Sequence, residues 1–144
     1  MYYVNREQIE RRLEIIPELL QVLGQSSRRE RPLVERYAAE RALHLAVEIV
    51  TDVGSYLIDG FIMRDASSYE DIVDIMLDEK VIDSDMHAIL VKLVRLRKPL
   101  VQDYFLSHPE PEEWAQNLPA VLKTFSTKVF TYLEQEGVYS PLAK

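Results

Sequence analysis

The amino-acid sequence predicts an all-α fold, a bundle of about five helices in a single domain over residues 1–144. Apolar residues recur every three or four positions through several long segments, which is the period of an amphipathic helix, and no segment alternates as a strand would. A hydrophobic fraction of 47% over 144 residues supplies enough apolar side chains for one core. Packing between helices is therefore expected to form the whole architecture.

The first predicted helix begins after Asn5, and a polar loop follows it. Asn5 and Gln8 form a capping-box pattern, and apolar residues then recur at helical spacing until the helix ends near Gly24. The segment 25–32 is polar and rich in arginine, so we expect an exposed loop there. Its arginines are Arg28, Arg29 and Arg31.

The second predicted helix is the longest and runs from about Leu33 to about Ile58, where Asp59-Gly60 ends it. Two neighbouring apolar stripes cover more than half of its circumference, which indicates burial on two sides. One side would face the core and the other a second subunit. The first stripe comprises Tyr37, Leu43, Val47, Val50, Gly54 and Leu57, and the second comprises Ala39, Ala42, Ala46, Ile49, Val53 and Tyr56.

The third predicted helix is capped by Ser67 or Ser68 and carries many acidic residues. Its apolar positions Ile72, Ile75 and Met76 are expected to face inward. The acidic side would be a solvated face. Its members are Glu70, Asp71, Asp74, Asp78 and Glu79.

Two more helices complete the predicted bundle. The fourth is capped by Asp83 or Ser84 and runs into Lys98-Pro99, where proline favours a bend or a break. A turn over 106–113 then leads to a last helix over 114–133. Pro119 either kinks that helix or starts its main part.

The segment from Leu90 to Tyr104 has the most concentrated polar chemistry of the chain. Arg95, Arg97 and Lys98 cluster beside the predicted bend, and no acidic residue occurs from Ala88 to Gln102. In an acidic protein, this composition predicts either a local anion site or an ordinary solvated patch.

The residues from 97 to 104 resemble the signature of the HEPN domains of the HepT-like family. In that family an arginine, usually followed by asparagine, is followed after four to six residues by histidine, any residue and tyrosine. Here Arg97 and Tyr104 take the arginine and tyrosine positions, Gln102 replaces the histidine, and Lys98 replaces the asparagine. The segments 42–58, 68–80 and 114–133 are also similar to the family, so the resemblance covers most of the chain.

The resemblance implies a symmetric homodimer that cleaves RNA without a metal ion or other cofactor, at a site composed from both protomers. It also implies a minimal nucleotidyltransferase antitoxin as the partner. Arg97 would hold the scissile phosphate, and Tyr104 would orient RNA or accept an adenylyl group from the antitoxin. Gln102 cannot replace the histidine as an acid or base, a loss that typically costs about 10²- to 10⁴-fold in rate. The resemblance therefore predicts weak or lost activity.

Each of these residues also has a structural interpretation. Arg97 could form an ion pair with a neighbouring helix, and Tyr104 could be a core or interface aromatic. For Gln102, a buried amide that caps or bridges helices is the favoured interpretation. The other histidines fit the motif poorly. His87 lies about three helical turns before Arg97, and His108 could compensate only if its loop folds back.

Two further patterns support alternative functions. A stripe on the second helix could hold a metal ion, but no matching ligands are visible on other helices, so intrahelical pairing is favoured. His44 of this stripe could instead lie near the motif of a partner protomer. The connector from Phe61 to Asp65, together with the acidic third helix, would suit a non-catalytic scaffold that binds protein. The stripe consists of Glu40, His44, Glu48 and Asp52.

Composition restricts the partners and the compartment. A net charge of −7 argues against a generic polyanion binder, so any RNA contact would be confined to the arginine and lysine cluster. The absence of cysteine excludes disulfides and thiolate metal sites and fits a reducing compartment. No signal-like start and no apolar run near the ~20 residues of a membrane span are visible, so a cytoplasmic protein is expected.

Overall fold

The computed structural model describes residues 3–26, 28 and 30–136. All regular secondary structure within these residues is helical. The all-α prediction is confirmed. Eight helices replace the predicted five, because two predicted helices divide and one predicted turn is helical. They are α1 (Arg6–Glu14), α2 (Ile16–Ser26), α3 (Leu33–Gly60), α4 (Tyr69–Asp78), α5 (Ser84–Arg95), α6 (Arg97–Gln102), α7 (Glu110–Ala115) and α8 (Leu118–Glu136).

Pro17 divides the first predicted helix into α1 and α2. Proline has no N–H, and its ring would clash with the carbonyl of Leu13, so α-helical bonding cannot continue through this point. The N–H of Ile15 donates instead to the carbonyl of Arg12 at 3.4 Å. Helix α2 then continues to Ser26, two residues past the predicted end, while Arg29 of the predicted loop lies outside the described residues.

The break before the motif comes earlier than Lys98-Pro99. Helix α5 ends at Arg95, and the N–H of Leu96 turns back to the carbonyl of Leu93 at 3.0 Å. The ring of Pro99 excludes the carbonyl of Arg95 from a continuing helix. Pro99 itself fits into the first turn of α6, where its missing N–H would have had no intrahelical partner. Arg97 is therefore the first residue of a new short helix.

Helix α3 is the central element and packs against α1, α2, α4, α5, α6 and α7. Burial on two sides is confirmed from Ala39 onward, whereas Tyr37 of the predicted stripe is 60% exposed. The expectation that one side faces a second subunit is wrong from Ala39 onward, because helices of the same chain cover both sides. At the crossing with α4, Gly54 has no room for a side chain, because a Cβ there would overlap Ile72 and crowd Met76. The two helices therefore approach closely enough to bring the start of α4 near the middle of α3.

The predicted caps and inward-facing residues of the middle helices are confirmed. The Ser68 side chain accepts from the N–H of Asp71 at 3.0 Å, and the Asp83 side chain accepts from the N–H of Met86 at 2.9 Å. The inward positions of α4 are buried. These contacts fix where α4 and α5 begin.

The predicted turn over 106–113 is wrong in its second half. Helix α7 begins at Glu110, because Pro111 occupies its first turn, where proline is tolerated. Pro119 lies at the start of α8, so it begins that helix and does not kink it. No helix of the described part of the chain is long and apolar enough to cross a membrane.

Candidate functional site

The guanidinium group of Arg97 is held by a hydrogen bond at one edge and by an aromatic ring against one face. Its Nε donates to Oε1 of Glu48 on α3 at 2.9 Å, and its Cζ lies 4.2 Å from the centre of the Tyr69 ring. The ion pair anticipated as a structural interpretation is thus present. Within the described residues, Nη1 and Nη2 of Arg97 have no hydrogen-bond partner. The outer edge of the guanidinium can therefore make the two-point contact that phosphate oxygens favour.

The same oxygen of Glu48 also contacts a histidine. His44 Nε2 lies 3.0 Å from Glu48 Oε1, and Arg41 Nη1 lies 3.4 Å from His44 Nδ1. An ionised carboxylate only accepts and a guanidinium only donates, so these partners assign the proton to Nε2 and the lone pair to Nδ1 in the neutral ring. We call Arg41, His44, Glu48 and Arg97 the polar seam. It joins α3 to α6.

Arg97 and Gln102 line one open pocket of about 480 Å³ beside the polar seam. Gln102 is exposed there, so the favoured prediction of a buried amide is wrong. The reason is that α6 is only six residues long and has no buried residue. The remaining lining residues are Ser68, Tyr69, Glu70, Val94, Arg95 and Lys98.

The basic cluster is partly balanced by acids from other helices. The Arg95 guanidinium donates to both carboxylate oxygens of Glu70, at 2.7 and 3.3 Å, and this hydrogen bonding raises the pKa of Arg95. Arg97 has Glu48 as its partner, and Lys98 is exposed at the pocket. The pocket therefore offers a local positive edge on an acidic protein rather than a large basic surface.

Tyr104 lies outside the pocket that holds Arg97 and Gln102. Its side chain is 74% exposed and packs edge-on against Phe105, with ring centres 6.1 Å apart. The interpretation of Tyr104 as a core aromatic is therefore wrong, and an interface role remains. The structure thus brings two of the three motif residues together and places the third on an exposed aromatic segment.

The two other histidines have partners away from Arg97. The loop after α6 does fold back, but His108 is 6% exposed and its Nε2 donates to the carbonyl of Asp103 at 3.0 Å. That bond fixes the loop. His87 Nε2 lies 2.7 Å from Asp74 Oδ1 on α4.

Neither alternative pattern forms the site expected of it. Within the described residues, no group of three or more histidine, cysteine or acidic residues could hold a metal ion, and Asp52 pairs with Arg12 at 3.4 Å. In the connector, Phe61 is buried and packs edge-on against Tyr132 at 5.2 Å, whereas Ile62 is 73% exposed. Four acids of α4 are paired: Glu70 with Arg95, Asp71 and Asp78 with Arg64, and Asp74 with His87. The predicted solvated acidic face is therefore partly neutralised.

Six exposed apolar side chains occur on two segments that lie near each other, one at the start of α3 and the other just after α6. The two segments adjoin because Arg36 on α3 and Ser107 after α6 line one pocket of about 360 Å³. Helices α3 and α6 also contact each other, and the polar seam lies along this contact. We call the following six residues the apolar patch: Leu33, Val34, Tyr37, Tyr104, Phe105 and Leu106.

The fold is an all-helical bundle in which an arginine at a helix break lies beside an open pocket, as the resemblance to HEPN domains implies. The model of the family described as Ribonuclease HepT-like matches residues 9–129, and the chain belongs to this family. It is 37% identical over 137 residues to the Bacillus subtilis (strain 168) protein named "Putative RNase YutE", with 94% of each chain covered.

Solved structures share the architecture. The structure of the cytosolic protein YutE from Bacillus subtilis has a TM-score of 0.81 at 35% identity, covering 94% of this chain and 95% of that one. A tri-AMPylated Shewanella oneidensis HEPN toxin in complex with MNT antitoxin has a TM-score of 0.76 at 16% identity, covering 85% and 96%. The second comparison shows the fold alone.

Two contacts of Arg97 were not assigned from the sequence. Glu48 was noticed for its spacing from His44, and that spacing is the signal that could have suggested a shared site. Tyr69 gave no signal, because nothing in its surroundings along the chain indicates that it stacks on an arginine of another helix.

Proposed function

We propose that this chain is a HepT-like ribonuclease that cleaves RNA without a metal ion, at a site centred on Arg97. The observation that supports this most directly is that Glu48 and Tyr69 hold the Arg97 guanidinium, while its two Nη atoms form no hydrogen bond with another described residue. A positioned guanidinium binds a phosphate in a fork and stabilises charge that develops during cleavage. Membership of the family supplies the substrate class.

Gln102 sets the expected rate. It shares the pocket with Arg97, so its amide can donate a hydrogen bond to RNA or orient a water molecule. It cannot titrate near neutral pH. Position 102 therefore does not supply the general acid or base that typically contributes ~10²- to 10⁴-fold in rate.

The active form in this proposal is a homodimer in which two copies cover each other's apolar patch. Val34, Tyr104 and Phe105 are each more than 70% exposed, and an apolar surface of this kind is typical of an interface. Such a dimer would bring the two polar seams toward the two-fold axis. Light scattering at micromolar concentration measures this directly, and a strict monomer would contradict it.

A nucleotidyltransferase antitoxin is the proposed protein partner. The Shewanella oneidensis HEPN toxin is described as tri-AMPylated and in complex with MNT antitoxin. Here, the Tyr104 hydroxyl belongs to a side chain that is 74% exposed, so an adenylyl group could reach it. Mass spectrometry after incubation with a nucleotidyltransferase and ATP would locate the label, and a label lost in Tyr37→Phe but kept in Tyr104→Phe would refute the assignment. We place the pair in the cytosol, the compartment named for YutE.

The protein-binding scaffold has less support. Phe61 is buried, and Arg64 forms hydrogen bonds with Asp71 at 2.7 and 2.8 Å, so part of each half of the predicted docking surface is already occupied. Ile62 alone does not make an extended apolar surface.

The decisive experiment is RNA cleavage in the presence of a metal chelator. Wild type and Arg64→Ala should cleave, whereas Arg97→Ala should not. Arg64 is a matched control, because it too is an arginine paired with a carboxylate of another segment, but it lies outside the pocket. Equal cleavage by Arg97→Ala and Arg64→Ala would refute the proposal.

A further inference from the structure

We infer that His44 supplies the imidazole that the motif lacks at Gln102, and that it acts as the general base in RNA cleavage. This inference rests on the proposed function. His44 Nε2 and Arg97 Nε each contact Oε1 of Glu48, at 3.0 and 2.9 Å, so the two nitrogens lie no more than about 6 Å apart. An imidazole and a phosphate-binding guanidinium are thus held at one oxygen within a single chain.

Glu48 orients His44 for this role. An ionised carboxylate that accepts from Nε2–H fixes the ring and leaves the lone pair on Nδ1, as the orienting carboxylate does in other base-assisted sites. Arg41, which donates toward Nδ1 at 3.4 Å, is an exposed residue with a long side chain. When RNA binds, its guanidinium can turn to the phosphate and release Nδ1. The His44 side chain is 24% exposed, so the ring is partly open to solvent.

The chemical step is a transesterification within the RNA. Neutral His44 takes the proton of the ribose 2′-hydroxyl, and the 2′-oxygen forms a bond to phosphorus while the bond from phosphorus to the 5′-oxygen breaks. The electron pair of the broken bond stays on the 5′-oxygen, which takes a proton from water. The imidazolium returns its proton to the hydroxide that this leaves. Arg97 holds the non-bridging phosphate oxygens throughout.

No other described histidine fits this role as well. His108 is buried and its Nε2 is bonded to the Asp103 carbonyl, and His87 pairs with Asp74 on α4. The charged groups that face His44 are Arg41 and Glu48 on its own helix, with Arg97 of α6 on the far side of Glu48. Imidazole is the side chain whose ordinary pKa lies between about pH 5 and 8, so a rate that changes in that range is the signature of an imidazole.

The test compares His44→Gln with His87→Gln in the metal-free cleavage assay. The two histidines are matched, because each contacts one carboxylate and each side chain is about one quarter exposed, 24% and 26%. We expect kcat of His44→Gln to fall by about 10²- to 10⁴-fold with KM changed little, and the rise of rate with pH to disappear. His87→Gln should behave as wild type.

A second variant separates lost chemistry from lost folding. Adding Gln102→His to His44→Gln should restore cleavage, since the imidazole returns at the other edge of the site. Wild-type kcat in His44→Gln, together with loss in Arg97→Ala, would overturn the inference and leave the proposed function intact. Cleavage by Gln102→His alone, with a silent wild type, would overturn the inference and the proposed activity of the wild type, but would keep Arg97 as the phosphate-binding site. Silence from wild type and from Gln102→His would overturn both.

Discussion

Two seams between helices use the same residue types in different ways. In the polar seam, His44 and Arg97 share one oxygen of Glu48. Between α4 and α5, His87 contacts Asp74 and Arg95 contacts Glu70, so each of the two side chains has its own carboxylate. A shared acceptor couples its partners, whereas separate surface pairs act independently. The shared acceptor therefore marks the polar seam as a candidate functional site, whereas the separate pairs between α4 and α5 are ordinary surface contacts.

Removing the shared carboxylate should have the largest effect. In Glu48→Gln the charge is lost, and one amide cannot accept from both donors, His44 and Arg97, at the same oxygen as strongly as a carboxylate does. We expect cleavage to fall by about 10²-fold or more, the order associated with losing a positioned acid or base. Rate measurements under metal-free conditions check this.

Asp74→Asn is the control for Glu48→Gln, because it removes the carboxylate from His87 in the other seam. It should leave the cleavage rate unchanged. If the two variants lose the same fraction of activity, the sharing of the Glu48 oxygen by His44 and Arg97 does not contribute to cleavage.

The next prediction concerns the helix crossing that positions the two seams relative to each other. Gly54→Ala places a Cβ against the Ile72 side chain where α3 meets α4, so packing has to shift. Overpacking of this kind costs about 1–3 kcal/mol in the free energy of unfolding. Gly24→Ala has open space and lies within α2, so it should stabilise the protein by about 0.5–1 kcal/mol. Denaturant unfolding measures both, and equal shifts would contradict the close approach.

The sequence predicts those parts of the fold that depend on neighbouring residues. Helix α3 and the caps at Ser68 and Asp83 follow from local patterns, and the structure confirms them. Pro17 and Pro99 divide helices because a proline ring clashes with the carbonyl four residues earlier. The break therefore lies before the proline in each case. The sequence itself therefore contains the signal for both breaks.

The candidate site depends on contacts that local patterns do not encode. Arg97 and Glu48 are 49 positions apart, so their pairing depends on how α6 packs against α3. Gln102 was expected to be buried because amides often bridge helices, but a six-residue surface helix leaves it exposed. The motif identifies the residues, and only helix packing decides which of them meet.

Asp71 at the start of α4 should make stability sensitive to acid. The side-chain hydrogen bonds from Arg64 lower the pKa of Asp71 well below its ordinary 3.8, and the backbone N–H of Ser67 lowers it further. The folded state therefore binds this proton less readily than the unfolded state. The stabilisation is present above about pH 4 and is lost as the pH falls toward the folded pKa. Unfolding measured from pH 5 to pH 2 should show a shallower decline in Asp71→Asn than in wild type or in the nearby Asp65→Asn.

The smallest effect should come from the exposed pair between α4 and α5. The side chains of Arg95 and Glu70 are 64% and 41% exposed, so a double-mutant cycle should give a coupling of only about 0.2–1 kcal/mol that weakens with salt. Arg97 and Glu48 are 29% and 26% exposed, and their coupling should be larger and less sensitive to salt. Because Glu48 also contacts His44, the second cycle should be repeated in His44→Gln, where the Arg97–Glu48 coupling should change. A coupling unchanged by His44→Gln would mean that the three residues do not act together, and the contrast between the two seams would fail.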